Sequence, residues 1–323
     1  MKASDLKILV RGAGDIASGI IWNLVYAGFN VCCTEVKDPS TIRTEVAFST
    51  AVYDGKKTID GVECIFCEGS HSSPVQGDSQ ISPIQGESQS VAHTVGASCT
   101  SAKQTVVDDI YKCWEEKKVA LIIDPSVKIL DEIKFDVVVD AILAKKNLGT
   151  KIDMAPLVIG VGPGFTANVD CHIAIETMRG HSLARIIESG SPMENTGVPG
   201  LIAGHGKDRV IHAPASGMIH NLHKVGDTVK CGEVIAVIDE GSHSLPVQGG
   251  SHSSPVQDGV NVLASIDGIL RGIIRDGYNV MKGLKIADID PRLTEYDNCF
   301  TISDKARSIG GAVVVAILRH LGN

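Results

Sequence analysis

One segment limits what this chain can build more than any other. From Ile8 to Glu35 an apolar run, a glycine-spaced turn, a helix-forming stretch and a β-branched run follow one another without a gap. The turn, Arg11-Gly12-Ala13-Gly14-Asp15-Ile16-Ala17, has the G-x-G-x-x-A spacing, with Gly12, Gly14 and Ala17 in its three special places. Glycine lets the backbone approach a pyrophosphate, and the helix that follows offers it unpaired N–H groups. Glu35, 23 residues after Gly12, stands where an acid receives ribose hydroxyls. The expectation is a Rossmann-type unit with a strand at Lys7 to Arg11, a helix from Asp15 and a strand at Asn30 to Val36. Its ligand-binding residues would be Arg11, Gly12, Gly14, Asp15, Ala17 and Glu35.

Asp15 dissents from that reading. A carboxylate at the helix start competes for the N–H groups a phosphate would use, and repels it. Arg11 or a metal would have to offset it, or the ligand's phosphates lie elsewhere; otherwise Asp15 simply caps its own helix.

Further runs continue the alternation: a strand near Val62 to Cys67, a helix from Gln104 to Lys117, then Val119 to Asp124, Phe135 to Asp140 and Leu157 to Val161. The last three are short, continuous and β-branched, as buried parallel strands are. The expected fold class is α/β, with a Rossmann-like, doubly wound parallel sheet. A second glycine loop, Gly160-Val161-Gly162-Pro163-Gly164, leaves a strand end and would line the same crevice, although Pro163 removes one donor. Asp124 and Asp140 end strands, and Lys145 and Lys146 follow, as candidate polar groups of that crevice. Helix capping and solvated charge account for them equally well.

Two islands interrupt this pattern. Gly69-Ser70-His71-Ser72-Ser73-Pro74-Val75-Gln76 recurs letter for letter from Gly250 to Gln257, a near copy runs from Gly241 to Gln248, and Ser79 to Gln85 is a weaker echo. Their composition is that of linkers. His71, His243 and His252 are read as residues of solvated loops rather than metal ligands.

Beyond about Arg209 the texture changes to short strands punctuated by glycine. Gly217, Gly226 and Gly232 are matched by Gly268, Gly277 and Gly283 at an offset of 51, and apolar positions match with them. The pattern resembles the barrel-sandwich hybrid of biotinyl and lipoyl domains. Those domains carry their cofactor on a lysine in the hairpin between the halves, and no lysine lies between Lys230 and Lys282. A covalent biotin or lipoyl arm is therefore not expected. The terminal stretch Ile302 to Leu321 reads as a capped, docked helix. The expected domains are residues 1–205 (α/β, insertion about 69–90), 206–291 (all-β, insertion about 241–257) and a helical segment, 292–323.

Composition narrows the partners. The formal charge of −8 has the wrong sign for a polyanion, and 4% aromatic residues offer few stacking platforms, so nucleic acid is not expected. The opening Met1 to Lys7 lacks the apolar core of a secretory leader, and Ala312 to Leu318 is too short to span a bilayer, so a cytoplasmic protein without a membrane partner is expected. Nine cysteines scattered singly look like reduced thiols. Cys64 and Cys67 have motif spacing, but on a strand positions three apart face opposite sides. His172 and Glu176 share a face and would suit a metal or proton-transfer site, but no third ligand stands out, and no metal is expected. No phosphate loop, zinc-peptidase helix or nucleophile elbow occurs.

Several blocks together carry a family resemblance: Arg11 to Gly19, Ala47 to Tyr53, Val139 to Thr150, Gly160 to Asp170 with Glu176 to His181, and Ile302 to Gly311. In combination they resemble the YqeB-like accessory proteins of the selenium-dependent molybdenum hydroxylase system, which are distantly similar to XdhC-type maturation proteins. The resemblance covers nearly the whole chain outside the two islands. It implies a maturation role, with a nucleotide-bearing (NAD-type) or molybdopterin-type ligand in the Rossmann crevice and the hydroxylase or its maturation machinery as partner. It assigns no catalytic residue. An NAD-dependent oxidoreductase and a scaffold without a ligand are the alternatives, and the oligomeric state is left open.

Overall fold

The computed structural model describes residues 5–68, 97–195, 202–241 and 259–321. The repeat copies that begin at Gly69 and Gly250, the echo from Ser79, and all but the first residue of the copy from Gly241 lie outside the described residues, as do His71, His243 and His252.

The apolar runs become the strands of one sheet: β1 (Lys7–Arg11), β2 (Asn30–Glu35), β3 (Lys56–Ile59), β4 (Val62–Phe66), β5 (Val119–Ile123), β6 (Val137–Asp140), β7 (Leu157–Val161), β8 (Ile173–Ile175) and β9 (Ile186–Ile187). Their order is β3-β4-β5-β2-β1-β6-β7-β8-β9. Neighbours from β4 to β8 are parallel, while β3 and β9 close the two edges antiparallel. The central strands are buried on both faces. Ile8 and Val10 pack under α1 (Asp15–Tyr26) and α4 (Asp304–Leu321), whereas Leu9 faces the layer that holds α3 (Ala97–Glu115). A single turn, α2 (Ala51–Asp54), completes the helices.

The expected doubly wound parallel sheet is corrected. The sheet is mixed, and the connections from β5 through β8 contain nothing longer than short 3-10 turns. Those segments are too strongly turned for a crossover helix: Val127, Leu143, Lys145 and Gly149 all take positive φ. The face is covered instead by α4, brought back from the far end of the chain.

The second half forms β10 (Val210–His212), β11 (Gly217–Asn221), β12 (Thr228–Val229), β13 (Val234–Asp239), β14 (Val260–Leu263), β15 (Gly268–Ile273), β16 (Asn279–Val280) and β17 (Lys285–Asp290). The repeat is physical: β11, β12 and β13 recur as β15, β16 and β17 at the same offset of 51. A Cβ on Gly217 or Gly268 would run into the carbonyl of Asp239 or Asp290, themselves 51 apart, so both glycines serve one close strand crossing. The expected biotinyl/lipoyl-like barrel-sandwich hybrid is corrected to two four-stranded antiparallel sheets, β10-β17-β15-β12 and β14-β13-β11-β16. Each half sends its short strands to pair with the other half, so neither half stands as a sheet of its own.

Two close approaches lock the parts together. In α1, a Cβ on Gly19 would lie 2.5 Å from the Cβ of Ala306; in α4, one on Gly310 would lie 2.6 Å from the carbonyl oxygen of Gly19. Asn23, one turn after Gly19, donates to the carbonyl of Arg307. The contacts advance together along both helices, so α1 and α4 start at the same end. Ile309, Val313 and Ile317 are fully buried on this face and contribute about 1.5–3 kcal/mol each. In β15, a Cβ on Gly272 would sit 2.8 Å from the carbonyl oxygen of Ile42, which seats the antiparallel unit on the loop after β2. Among the described residues no helix is long and apolar enough to cross a membrane.

Gly19→Val is expected to wedge α4 away from α1 and lower the unfolding free energy by about 1–3 kcal/mol. Gly311→Ala, whose Cβ meets nothing within 4 Å, is expected to leave it unchanged or raised by about 0.5–1 kcal/mol. Urea denaturation of the two variants checks both.

Candidate functional site

Parallel strands bring their carboxyl ends to one edge, where glycine loops and strand-ending acids gather. The sequence-expected residues do meet there, but most are engaged with one another. Arg11 is 3% exposed. Its Nη1 donates to Asp140 Oδ2 at 3.1 Å and to the Thr150 hydroxyl, and its Nη2 reaches the carbonyls of Pro125 and Leu148. Thr150 in turn donates to Asp140. Arg11 and Asp140 are therefore a buried ion pair that ties β1, β6 and the loop after β6, rather than ligand groups.

Glu35 is also committed. Its Oε2 accepts from the Ala13 N–H at 3.0 Å and its Oε1 from the Val36 N–H at 2.9 Å. The acid reserved for a ribose closes the glycine loop itself. Burial raises its carboxyl above the ordinary 4.5, against these two N–H groups, which lower it.

The loop after β6 is wedged between the two glycine loops. A Cβ on Gly12, at φ +93°, would meet Ile142 Cα at 3.0 Å, and one on Gly162 would meet Leu143 Cδ1 at 3.3 Å. Gly164 lies over the backbone of Lys146, and Gly160 over the ring of Phe165. The loop after β6 thus packs directly against both glycine loops. Gly14 caps α1 through its backbone and Ala17 is buried beneath it. Lys145 and Lys146 are exposed on the wedge. Asp124 closes its own turn by accepting from the Ile129 N–H at 2.9 Å.

His172 and Glu176 are structural. Nδ1 of His172 accepts from the Val158 N–H. The buried Glu176 accepts from the N–H groups of Thr177, Met178 and Met193, each at 2.7 Å, and so pins the chain beyond β8. Among the described residues no group of three or more histidine, cysteine or acidic side chains is placed to hold a metal.

Sequence reasoning missed a neighbouring pocket of about 350 Å³, lined by Arg179, Arg209, Arg271, Arg292 and Arg307. These are five of the chain's ten arginines. Each arrives from a different place: Arg179 follows β8, Arg209 precedes β10, Arg271 is within β15, Arg292 follows β17, and Arg307 is in the first turn of α4. Four carboxylates hold four of them in position. Asp288 is shared by Arg209 at 2.6 Å and Arg271 at 3.3 Å. Asp290 receives Nε and Nη2 of Arg292 at 3.0 and 2.8 Å, and Asp304 takes a two-pronged contact from Arg179 at 2.9 and 3.0 Å. Glu295 completes the set. Arg179 pulls the Asp304 carboxyl down to about 2. Arg307 donates to the Ile302 carbonyl.

Arg43 adds another cation behind this wall. It is 5% exposed, its Nη2 donates to the Asn298 carbonyl at 3.2 Å, and its buried Nε has no partner. Burial, then Arg271, pushes its pKa down to about 10. Burial also pushes the Lys305 ammonium down, with Arg179 adding to the shift. Asp15 acts in the opposite direction on Arg43, Lys285 and Lys305. The Asp15 carboxylate therefore stands close enough to this basic group to offset part of its charge.

No family model matches the chain. It is 42% identical over 317 residues to YqeB of Escherichia coli (strain K12), a protein described as uncharacterized; the match takes in 98% of this chain and 48% of that one. The chain is similar to YqeB over almost all of its own length. It spans about half the length of the curated relative it matches. Among solved structures, an aspartoacylase family protein from Mesorhizobium loti is 11% identical with a TM-score of 0.27, covering 89% of this chain and 86% of that one. A succinylglutamate desuccinylase from Silicibacter sp. TM1040 is 12% identical with a TM-score of 0.24, covering 88% and 84%. Likenesses this slight carry no activity to this chain.

The role implied by the sequence resemblance, maturation of a selenium-dependent molybdenum hydroxylase around a nucleotide or molybdopterin-type ligand, is corrected. The matched relative is described as uncharacterized, so the likeness shown is to YqeB and carries no such role, and the loop after β6 packs against both glycine loops where that ligand was expected. The NAD-dependent alternative is corrected with it, because Glu35 is bound to Ala13 and Val36.

Asp140→Ala is expected to cost about 3–5 kcal/mol, since it leaves Arg11 buried without its partner; thermal or chemical denaturation reads this directly. For Glu35 the sign is the reverse of an ordinary ion-paired acid. The folded chain holds this proton more tightly than the unfolded one, so the stability tied to Glu35 falls as pH rises above the ordinary 4.5. Glu35→Gln is expected to remove that part of the slope in denaturation series between roughly pH 4 and 7.

Proposed function

We propose that the chain binds a small anion of the carboxylate or phosphate class in the arginine pocket beside the starts of α1 and α4. The observation that carries this is the convergence of five of ten arginines, from five separate segments, on one pocket in a chain of formal charge −8. Guanidinium groups present planar pairs of donors that match carboxylate and phosphate oxygens, which a lysine cannot do. Clustering like charges is unfavourable, and the internal carboxylates offset it only in part: five guanidinium groups face four carboxylates, with Arg43 behind them. A bound anion supplies the missing charge and gives Arg271 and Arg307, the least engaged of the five, their oxygen partners.

Titration calorimetry with pyrophosphate and with citrate as probes tests the proposal. Binding to at least one is expected, weakening as salt rises. Arg307→Gln and Arg271→Gln are each expected to weaken it by roughly 10- to 100-fold, the equivalent of losing one charge-assisted hydrogen bond. Absence of binding to both probes at millimolar concentration, or binding indifferent to both substitutions, contradicts the proposal.

A further inference from the structure

The Cys64-x-x-Cys67 spacing leads to a different pair from the one it suggests. Cys64 packs in the core beneath α1 and α4, while Cys67 packs in the opposite layer, against α3. There its Sγ lies 3.8 Å from Sγ of Cys113, 46 residues further along the chain. Both thiols are buried, at 5% and 6% exposure. They are nevertheless near a surface: Cys67 is followed by the exposed Glu68, and Cys113 stands in the last turn of α3 before the exposed Glu115 and Glu116. Cys67 is anchored to the sheet by its N–H, which donates to the Leu121 carbonyl. Cys113 is held by the helix, so the two sulfurs are presented by two firm elements.

We propose that Cys67 and Cys113 form a reversible disulfide that joins the end of β4 to the end of α3 when the chain meets a peroxide. The sulfurs need to close from 3.8 Å to a bond of about 2.05 Å, a movement within reach of side-chain rotation. The pair is also polarised. The thiol of Cys67 supports the Cys113 thiolate by hydrogen bonding, which lowers the Cys113 pKa, while the same contact and burial raise that of Cys67. Either sulfur can be the donor at this distance, and the reaction starts from a Cys113 thiolate. That thiolate displaces hydroxide from the peroxide and becomes a sulfenic acid. Cys67 then attacks that sulfur, its proton leaves with the expelled oxygen, and the sum is two thiols plus hydrogen peroxide giving one disulfide and two waters. The bridge closes a loop of chain that contains the first repeat island and most of α3. Neither the arginine pocket nor its ligand enters this argument.

The test uses the full chain with Cys231→Ser, which removes the one thiol that is exposed among the described residues. It is treated with hydrogen peroxide, remaining thiols are alkylated, and peptides are mapped by mass spectrometry. The expected result is a linked peptide pair holding Cys67 and Cys113, two hydrogens lighter than the reduced pair and restored by dithiothreitol. The same linkage is expected to persist in Cys64→Ser and to vanish in Cys67→Ser and Cys113→Ser. The proposal is overturned if both thiols stay fully alkylatable at a peroxide dose that consumes Cys231 in the unaltered chain. Linkage of either thiol to Cys32 or Cys99 instead also overturns it.

Discussion

The close contact of α1 with α4 is the constraint on which the rest of the molecule depends. Gly19 and Gly310 remove the side chains that would hold the helices apart, and Ala306 occupies the space between them. Because the contacts advance in the same direction along both helices, α4 begins where α1 begins, at the carboxyl edge of the sheet. That placement carries Asp304, Lys305 and Arg307 from the last part of the sequence to the neighbourhood of Asp15 and Arg179. Without it the large sheet would lose the cover of one face and the pocket would lose one of its walls.

The second constraint is electrostatic. Two kinds of arginine occur at the same sheet edge, and their partners tell them apart. Arg11 is enclosed by Asp140, Thr150 and two backbone carbonyls, so both of its Nη groups are engaged internally and serve to join strands, while its Nε is buried without an acceptor. Four of the pocket arginines share carboxylates or lean on them from one side, Arg307 donates to the Ile302 carbonyl, and Arg43, like Arg11, keeps a buried Nε without an acceptor. A desolvated cation with incomplete pairing is costly. The chain offsets part of that cost with Asp15, Asp288, Asp290 and Asp304, and leaves the rest for an external anion.

Local patterns in the sequence were informative wherever one stretch of chain sets its own structure. Apolar runs such as Leu157 to Val161 form strands, Gly12 takes the positive φ its turn requires, and the offset of 51 between glycines corresponds to recurring strands. What the sequence could not show was which segments meet. A glycine fingerprint followed by an acid reads the same whether that acid faces a ribose or, as Glu35 does, the N–H of Ala13. The wedge formed by the loop after β6 depends on positive φ at Leu143 and Lys145, residues that rarely signal it. The pocket arginines stand singly between positions 179 and 307 with no common spacing. The only hint was that Arg179 and Arg307 fall within the blocks that carried the family resemblance.

The most direct measurement is a crystal structure of the full chain soaked in selenate, with the anion located by its anomalous signal. The account expects selenium within the arginine pocket, its oxygens in hydrogen-bond contact with at least two of Arg179, Arg271 and Arg307. An empty pocket, or selenate seated on the Gly12 to Gly14 turn instead, would contradict it.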